Sequence, residues 1–252
     1  MSVLVGNTTP LPSLRFSNTD NQGREFGVLM IKAALDVEAD GTCTLAPEQE
    51  PFNFTDATHG AQNASSLHHP SDLVAYKPAT DVIVDAVAHA PEGRAARSWE
   101  VGVRVADGTG PRLEKRLRVT GPRRWEPQWR RALSEGERER WRDHRQLFRG
   151  WTLSEPEPAL SVPIRYEHAY GGLMPKGLDA EDRPVVEAYA FNPVGCGWID
   201  PDWTDHTQAV AAPQIEGPDE PITQAGRAYP PQGFGPIPPA WLPRRTLGGT
   251  YD

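Results

Sequence analysis

Between Ser98 and Gly121 the chain spells SWEVGVRVADGTGPRLEKRLRVTG, and no other stretch constrains the fold as tightly. Trp99, Val101, Val103 and Val105 alternate with Glu100, Gly102, Arg104 and Ala106. After the turn ADGTGP, Leu113, Lys115, Leu117 and Val119 share one face of a second alternating run. Successive side chains of a strand point to opposite sides, so each run has one face suited to a core and one suited to water. Two such runs around a glycine-rich turn predict an antiparallel hairpin. It should be half-buried, with an arginine-rich face turned to water or to a partner.

The remaining sequence agrees with this class. Proline (26) and glycine (23) are both frequent, which favours short elements and long irregular connections. The expected fold is mainly β, with antiparallel sheets (sandwich- or barrel-like), long Pro/Gly-rich loops and one or two short surface helices. FGVLMIKAALDV, residues 26–37, is a continuous apolar run and reads as a buried strand; DVIVDAVAHA, residues 81–90, reads as another. Ser134 and Glu137 have capping-box spacing ahead of EGERERWRDHRQLF, which predicts a helix with thin apolar content lying on the surface. After residue 151 prolines recur every few positions, so VPIRYEHAYGG and FNPVGCGWID should be short strands and fixed loops. No repeat and no clean linker stands out, so residues 1–252 read as one domain.

Charge narrows the partners. The net charge is −8, yet residues 94–149 hold 16 basic side chains against 8 acidic ones. Such a segment can meet nucleic acid. The simpler reading is a solvated arginine-rich surface paired with the acidic flanks. Cys43 and Cys196 do not make a disulfide framework. With no secretory leader and no run of about 18 apolar residues, the cytoplasm is the simplest compartment.

VPIRYEHAYGG, residues 162–172, has the look of an active site. If it is one strand, Val162, Ile164, Tyr166, His168 and Tyr170 share a face, and Arg165, Glu167 and Ala169 share the other. Glu167 and His168 then cannot work as a pair, while Arg165 and Glu167 can form a salt bridge. Tyr166 and Tyr170 suit half-buried positions with a polar tip. Gly171 and Gly172 suit positive φ or a close backbone approach. A structural role fits every residue.

Other chemistry finds little support. His68 and His69 are adjacent, His59, His89, His144, His168 and His206 are scattered, and no HExxH or CxxC is present, so no metal ligand set is predicted. Cys196 lies between two glycines and reads as a small buried thiol. There is no GxSxG and no phosphate-cradling loop. No catalytic residue and no cofactor is assigned, and the residues favour a binding module over an enzyme.

Several stretches, taken in order, resemble the bacterial domain-of-unknown-function family numbered 2169. They are SDLVAYKPATDVIVDAVAHAPEG, VGVRVADG, LEKRLRVTGPRRW, VPIRYEHAYGG, FNPVGCGW and PQGFGPIPPAWLPRRTLGGTYD, and they run from about residue 26 to the last residue. Each is weak alone; the ordered set is specific. The matching positions are Lys77, Pro78, Arg123, Arg124, Trp125, Arg165, Tyr166, Glu167, Gly171, Gly172, Asn192, Pro193, Gly195, Gly197, Phe234, Gly235 and Tyr251. The family offers no agreed active site, so these are motif positions and not catalytic ones. Two departures stand out. Residues 126–150 are longer than the family's pattern, and the chain stops at GTYD where members usually continue, which implies a fragment or a core completed by a partner.

The resemblance implies a bacterial adaptor or chaperone of type VI secretion, which binds a toxic effector protein and helps load it onto the tail-spike protein. Trp125, Trp129, Arg130, Arg131 and Trp141 are the candidate partner contacts, since tryptophan and arginine are favoured anchors at interfaces. Two other readings stand beside it. One is a hydrolase or modifying enzyme with a site around His168, with His68 and His69 as remote partners. The other is nucleic-acid binding through residues 94–149.

Overall fold

The computed structural model describes residues 6–20, 22–74, 79–200 and 207–247, with the backbone alone at 141–142 and 245–247. The fold is mainly β, with antiparallel sheets and only short helices. The chain groups into two compact units. The smaller takes residues 1–57, 69–81 and 246–252, and the larger takes 58–68 and 82–245. Because the chain passes between the units several times, no single linker marks the division in the sequence.

The smaller unit is built from ribbons. β1 (Ser13–Thr19) and β2 (Glu25–Ile31) pair antiparallel, from Ser13 opposite Ile31 to Thr19 opposite Glu25. Their turn is closed by Asp20, whose carboxylate accepts from the Arg24 amide and guanidinium. β3 (Leu35–Val37) pairs with β4 (Cys43–Leu45). The apolar run 26–37 is therefore two strands, and it is not buried. Along β2 every second residue is half-covered and the others, Leu29 and Ile31 among them, are exposed. Sheets of two strands leave one face or both without a covering layer, so a continuous apolar run does not guarantee burial.

A hairpin of β5 (Ala57–Thr58) and β6 (Leu67–His69) frames the 58–68 excursion. In the larger unit β7 (Val87–His89) takes up only the end of the 81–90 run. β8 (Ser98–Asp107) and β9 (Gly110–Thr120) form the predicted hairpin. Its register sets Trp99 opposite Val119, Val101 opposite Leu117, Val103 opposite Lys115 and Val105 opposite Leu113. The base of this face is buried and the tip is in water. On the other face Arg116 bonds Glu100 at 2.7 Å.

β10 (Arg123–Trp129) lies between β11 (Phe148–Leu153) and β17 (Val210–Ala212), and β9 also pairs with β18 (Ile215–Glu216). β12 (Ser161–Pro163) pairs with β7, and β14 (Leu173–Leu178) with β15 (Pro184–Ala188). β13 (Tyr170–Gly171) and β16 (Cys196–Gly197) are the parallel pair. Among the described residues no sheet closes into a barrel. One core cluster gathers Trp99, Leu117, Val119, Val162, Ile164, Tyr166 and Trp241; a second gathers Trp125, Tyr170, Met174, Ile222 and Tyr229.

The helix after Ser134 is real but short. The Ser134 amide donates to Glu137 Oε2 at 3.0 Å, as the capping spacing predicts, and α1 (Glu135–Glu139) follows. Residues 141–147 then tighten into a 3₁₀ segment with His144 outside helical geometry. An amphipathic stripe this thin gives little burial to hold a longer helix. The other helix is α2 (Leu242–Leu247).

Candidate functional site

VPIRYEHAYGG is not one strand. It is β12, then a 3₁₀ turn at Tyr166–His168, then β13. The turn places Glu167 and His168 with different partners and removes the alternation on which an Arg165–Glu167 bridge rests. Among the described residues no ion pair joins those two. Glu167 instead reaches the excursion 101 residues earlier in sequence: Ser66 donates to it from its amide at 2.8 Å and from its hydroxyl at 2.6 Å. Ser66 itself is buried. His168 Nδ1 lies 3.1 Å from Gln214 Oε1, and its carbonyl accepts from the Gln214 amide at 2.8 Å. Burial holds the His168 pKa below its ordinary value, against the upward pull of Gln214. Both contacts tie His168 to Gln214, in the bend that precedes Ile215.

The two tyrosines behave as the sequence predicts, more deeply. Both are buried; the Tyr166 hydroxyl donates to the Gly235 carbonyl at 3.3 Å and the Tyr170 hydroxyl to the Arg227 carbonyl at 2.7 Å. Burial lifts the Tyr166 pKa to about 12. Cys196, expected to be buried, is partly buried, and desolvation pushes its thiol up to about 12.

The family-motif residues come together around one buried amide. Asn192 is fully buried, and its Nδ2 donates to the Tyr166 carbonyl at 2.8 Å and the Tyr170 carbonyl at 3.1 Å. Its own carbonyl accepts from the Gly172 amide at 2.8 Å. A Cβ on Gly195 would stand 2.4 Å from Asn192 Nδ2. Gly197 and Pro193 flank this knot in sequence, Phe234 packs in the same core cluster as Tyr166, and Gly235 receives the Tyr166 hydroxyl. Arg123 joins from β10, with Nη2 on Glu216 at 2.6 Å. Arg124 is exposed and pairs with Glu157 at 3.2 Å. Lys77, Pro78 and Tyr251 lie outside the described residues.

The candidate partner contacts divide. Trp125 is 1% exposed and belongs to a core cluster, which corrects its assignment as a contact: it sits on the inner face of β10. Trp129, at the end of the same face, packs edge-on against Phe148 with ring centres 5.3 Å apart and lines a shallow groove with Pro127 and Leu133. Arg131 is held by two bonds to Glu137, and Arg130 is exposed. The Trp141 side chain lies outside the described residues. Arginines of the 94–149 segment also pair with carboxylates: Arg112 with Asp107, Arg116 with Glu100, Arg118 and Arg123 with Glu216. These pairings lower the local positive potential.

A polar cluster that sequence spacing could not reveal lies next to Glu167. His59, His68 and Asp85 have ligand-capable atoms all within 4.8 Å of one another. His68 Nε2 is 2.7 Å from Asp85 Oδ2, and the His59 and His68 rings are 4.6 Å apart by centroid. Burial first, then the charge of Arg165 and the neighbouring His68, hold the His59 pKa below its ordinary value, while Asp85 and Glu167 pull the other way. The sequence links His68 and His69 to His168; the fold gives His68 to His59 and Asp85 instead. His59 and Asp85 carry no motif, and only the folding-back of residues 58–68 brings them together.

Glu167 has a measurable acid signature. Partial burial pushes its pKa up, but the bonds from Ser66 outweigh that and hold it below the ordinary carboxylate value. A depressed carboxylate stabilises the fold above its unfolded pKa and loses that contribution as pH falls through the folded value. The stability difference between the parent and Glu167→Gln, followed by urea unfolding from neutral to acid pH, is expected to shrink toward zero on the acid side. A difference independent of pH would show that the ionised Ser66–Glu167 contact does not contribute.

No helix among the described residues is long and apolar enough to cross a membrane. No curated protein and no solved structure matches the chain. Residues 22–252 match the family described as an uncharacterized protein conserved in bacteria, DUF2169. That span covers the knot around Asn192, the Arg123–Glu216 pair and the His59–His68–Asp85 cluster, and the chain belongs to this family.

Proposed function

We propose that the protein is a non-enzymatic adaptor or chaperone, acting in the cytoplasm, that binds a type VI secretion effector and helps load it onto the tail-spike protein. The ordered motif set points to this class. The observation that carries the reading is the uncovered apolar surface of the smaller unit. On the β3–β4 ribbon Leu35 stands opposite Leu45 and Val37 opposite Cys43, and Leu35, Val37 and Leu45 are 54%, 71% and 46% exposed. Leu29, Ile31 and Phe54 of the same unit are also exposed. Soluble proteins rarely leave contiguous apolar patches of this kind uncovered unless a partner takes them. A stable complex buries on the order of 1,200–2,000 Å² in all, and a two-stranded ribbon gains a covering layer by binding.

Co-expression with a type VI effector and a tail-spike protein from the same source is expected to give a complex that co-purifies. Leu35→Asp combined with Val37→Asp should abolish co-purification, while stability stays within about 0.5 kcal/mol of the parent, as for other surface changes. Arg130→Glu tests the other candidate face. If the complex survives the first pair and is lost with Arg130→Glu, the binding surface includes the exposed Arg130 that follows β10. If the parent captures neither protein, the adaptor reading fails.

A further inference from the structure

The His59–His68–Asp85 cluster has the composition of a metal site and a position that gives a metal something to do. Two imidazoles and one carboxylate are a recurrent donor set for zinc and similar divalent ions, with a further position left to water or another ligand. The three residues come from separate stretches, so the site exists only in the folded chain. His59 and His68 stand at the two ends of the 58–68 excursion, and Asp85 follows shortly after the chain re-enters the larger unit at residue 82.

We propose that His59, His68 and Asp85 bind one divalent ion of the zinc class, which clamps both ends of the excursion to the segment that carries Asp85. The geometry needs only small side-chain movements. Tetrahedral ligand atoms at about 2.0–2.2 Å from a metal lie about 3.3–3.6 Å from one another. Here the donor atoms are within 4.8 Å, with His68 Nε2 and Asp85 Oδ2 at 2.7 Å. That shortest contact is a hydrogen bond, and the ion takes the place of its proton, as metal binding generally releases protons from its ligands. Charge favours a cation as well, because among the described residues that act electrostatically on His59 the carboxylates of Asp85 and Glu167 stand against the guanidinium of Arg165. Glu167 keeps the excursion seated through Ser66, with the His59 amide bonded to the Ser66 carbonyl at 3.0 Å. This positions the two histidines before any ion arrives.

The inference is independent of the adaptor reading and is tested on the isolated full chain. Tag-free protein, stripped with a chelator and dialysed, is titrated with Zn²⁺ by calorimetry and with Co²⁺ by visible absorption. One equivalent is expected to bind, with the intense ligand-field bands of four-coordinate Co²⁺, and to raise the melting temperature. His59→Ala and Asp85→Asn should each weaken binding by at least about 10-fold, by comparison with the 10–100-fold that outer-shell changes already cost, and should remove the thermal shift. His89→Ala and Cys43→Ser, exposed residues that are not among the three ligands, should leave affinity within two-fold. Circular dichroism of each stripped variant separates lost ligands from lost folding. Failure of the parent to bind one equivalent, or binding unchanged by His59→Ala and Asp85→Asn, overturns the site.

Discussion

Glu216→Ala is expected to destabilise the larger unit by about 3–5 kcal/mol, the cost of leaving one charge of a buried pair without its partner. Glu216 is 1% exposed and the Arg123 side chain 6%. Glu216 Oε2 accepts from Arg123 Nη2 at 2.6 Å and from the Ile222 amide at 2.8 Å. Arg118 Nε stands 3.5 Å from Oε1, close enough to attract but not aligned to bond, so Oε1 has no hydrogen-bond donor. Arg123 is fixed a second time by donating from Nε to the Pro213 carbonyl at 2.7 Å. The pair joins two sheets, since Glu216 lies on β18 beside β9 and Arg123 on β10 between β11 and β17. Truncating the carboxylate strands a guanidinium in the interior and unties the Ile222 amide. Against a typical total of about 5–15 kcal/mol, that loss is a large fraction. Urea unfolding of the parent, Glu216→Ala, Arg123→Met and the double variant measures it. The double variant should lose less than the two single losses combined, because it removes both charges. A Glu216→Ala midpoint equal to the parent's would refute the account.

Much of this core was legible from residue order. The β8–β9 hairpin follows from alternation because its two faces differ in chemistry, and the observed pairing sets the two predicted faces, Trp99–Val105 and Leu113–Val119, against each other. The Ser134–Glu137 cap was legible because it is local. The faces of 26–37 were not, because an apolar run says what a strand could bury and not whether anything lies over it. VPIRYEHAYGG misled for a related reason. Its polar residues are not an alternating face; Glu167 and His168 lie within a 3₁₀ turn tied by contacts to Ser66, Gln214 and Asn192. Those partners lie 22 to 101 residues away, and no window of sequence contains them. Trp125 was mistaken for an anchor because the traits that favour interface tryptophans also favour core ones. The His59–His68–Asp85 cluster had no signal at all, since its ligands share no spacing and meet only through the tertiary fold.

Gly171→Ala is expected to be strongly damaging, and its comparison with Gly177→Ala says why. Both glycines have positive φ, at 149° and 116°. An alanine at either is strained by roughly 1–3 kcal/mol on backbone grounds alone. At Gly177 the added methyl meets nothing within 4 Å. At Gly171 it would stand 2.1 Å from the Asn192 carbonyl oxygen and 2.8 Å from Asn192 Cβ. That oxygen cannot withdraw freely, because it accepts from the Gly172 amide, while the Asn192 side chain ties the Tyr166 and Tyr170 carbonyls. Relief would pull apart the knot to which Tyr166, Tyr170, Gly172 and Gly195 all belong. Gly171→Ala should therefore lose about 4 kcal/mol or more, the range reserved for disrupted interiors, and show up as a collapse in soluble yield or melting temperature. Gly177→Ala should stay soluble and lose only its strain energy. Equal losses at the two sites would mean that dihedral strain alone governs Gly171. The crowding around Asn192 would then have no part in why the motif requires glycine there.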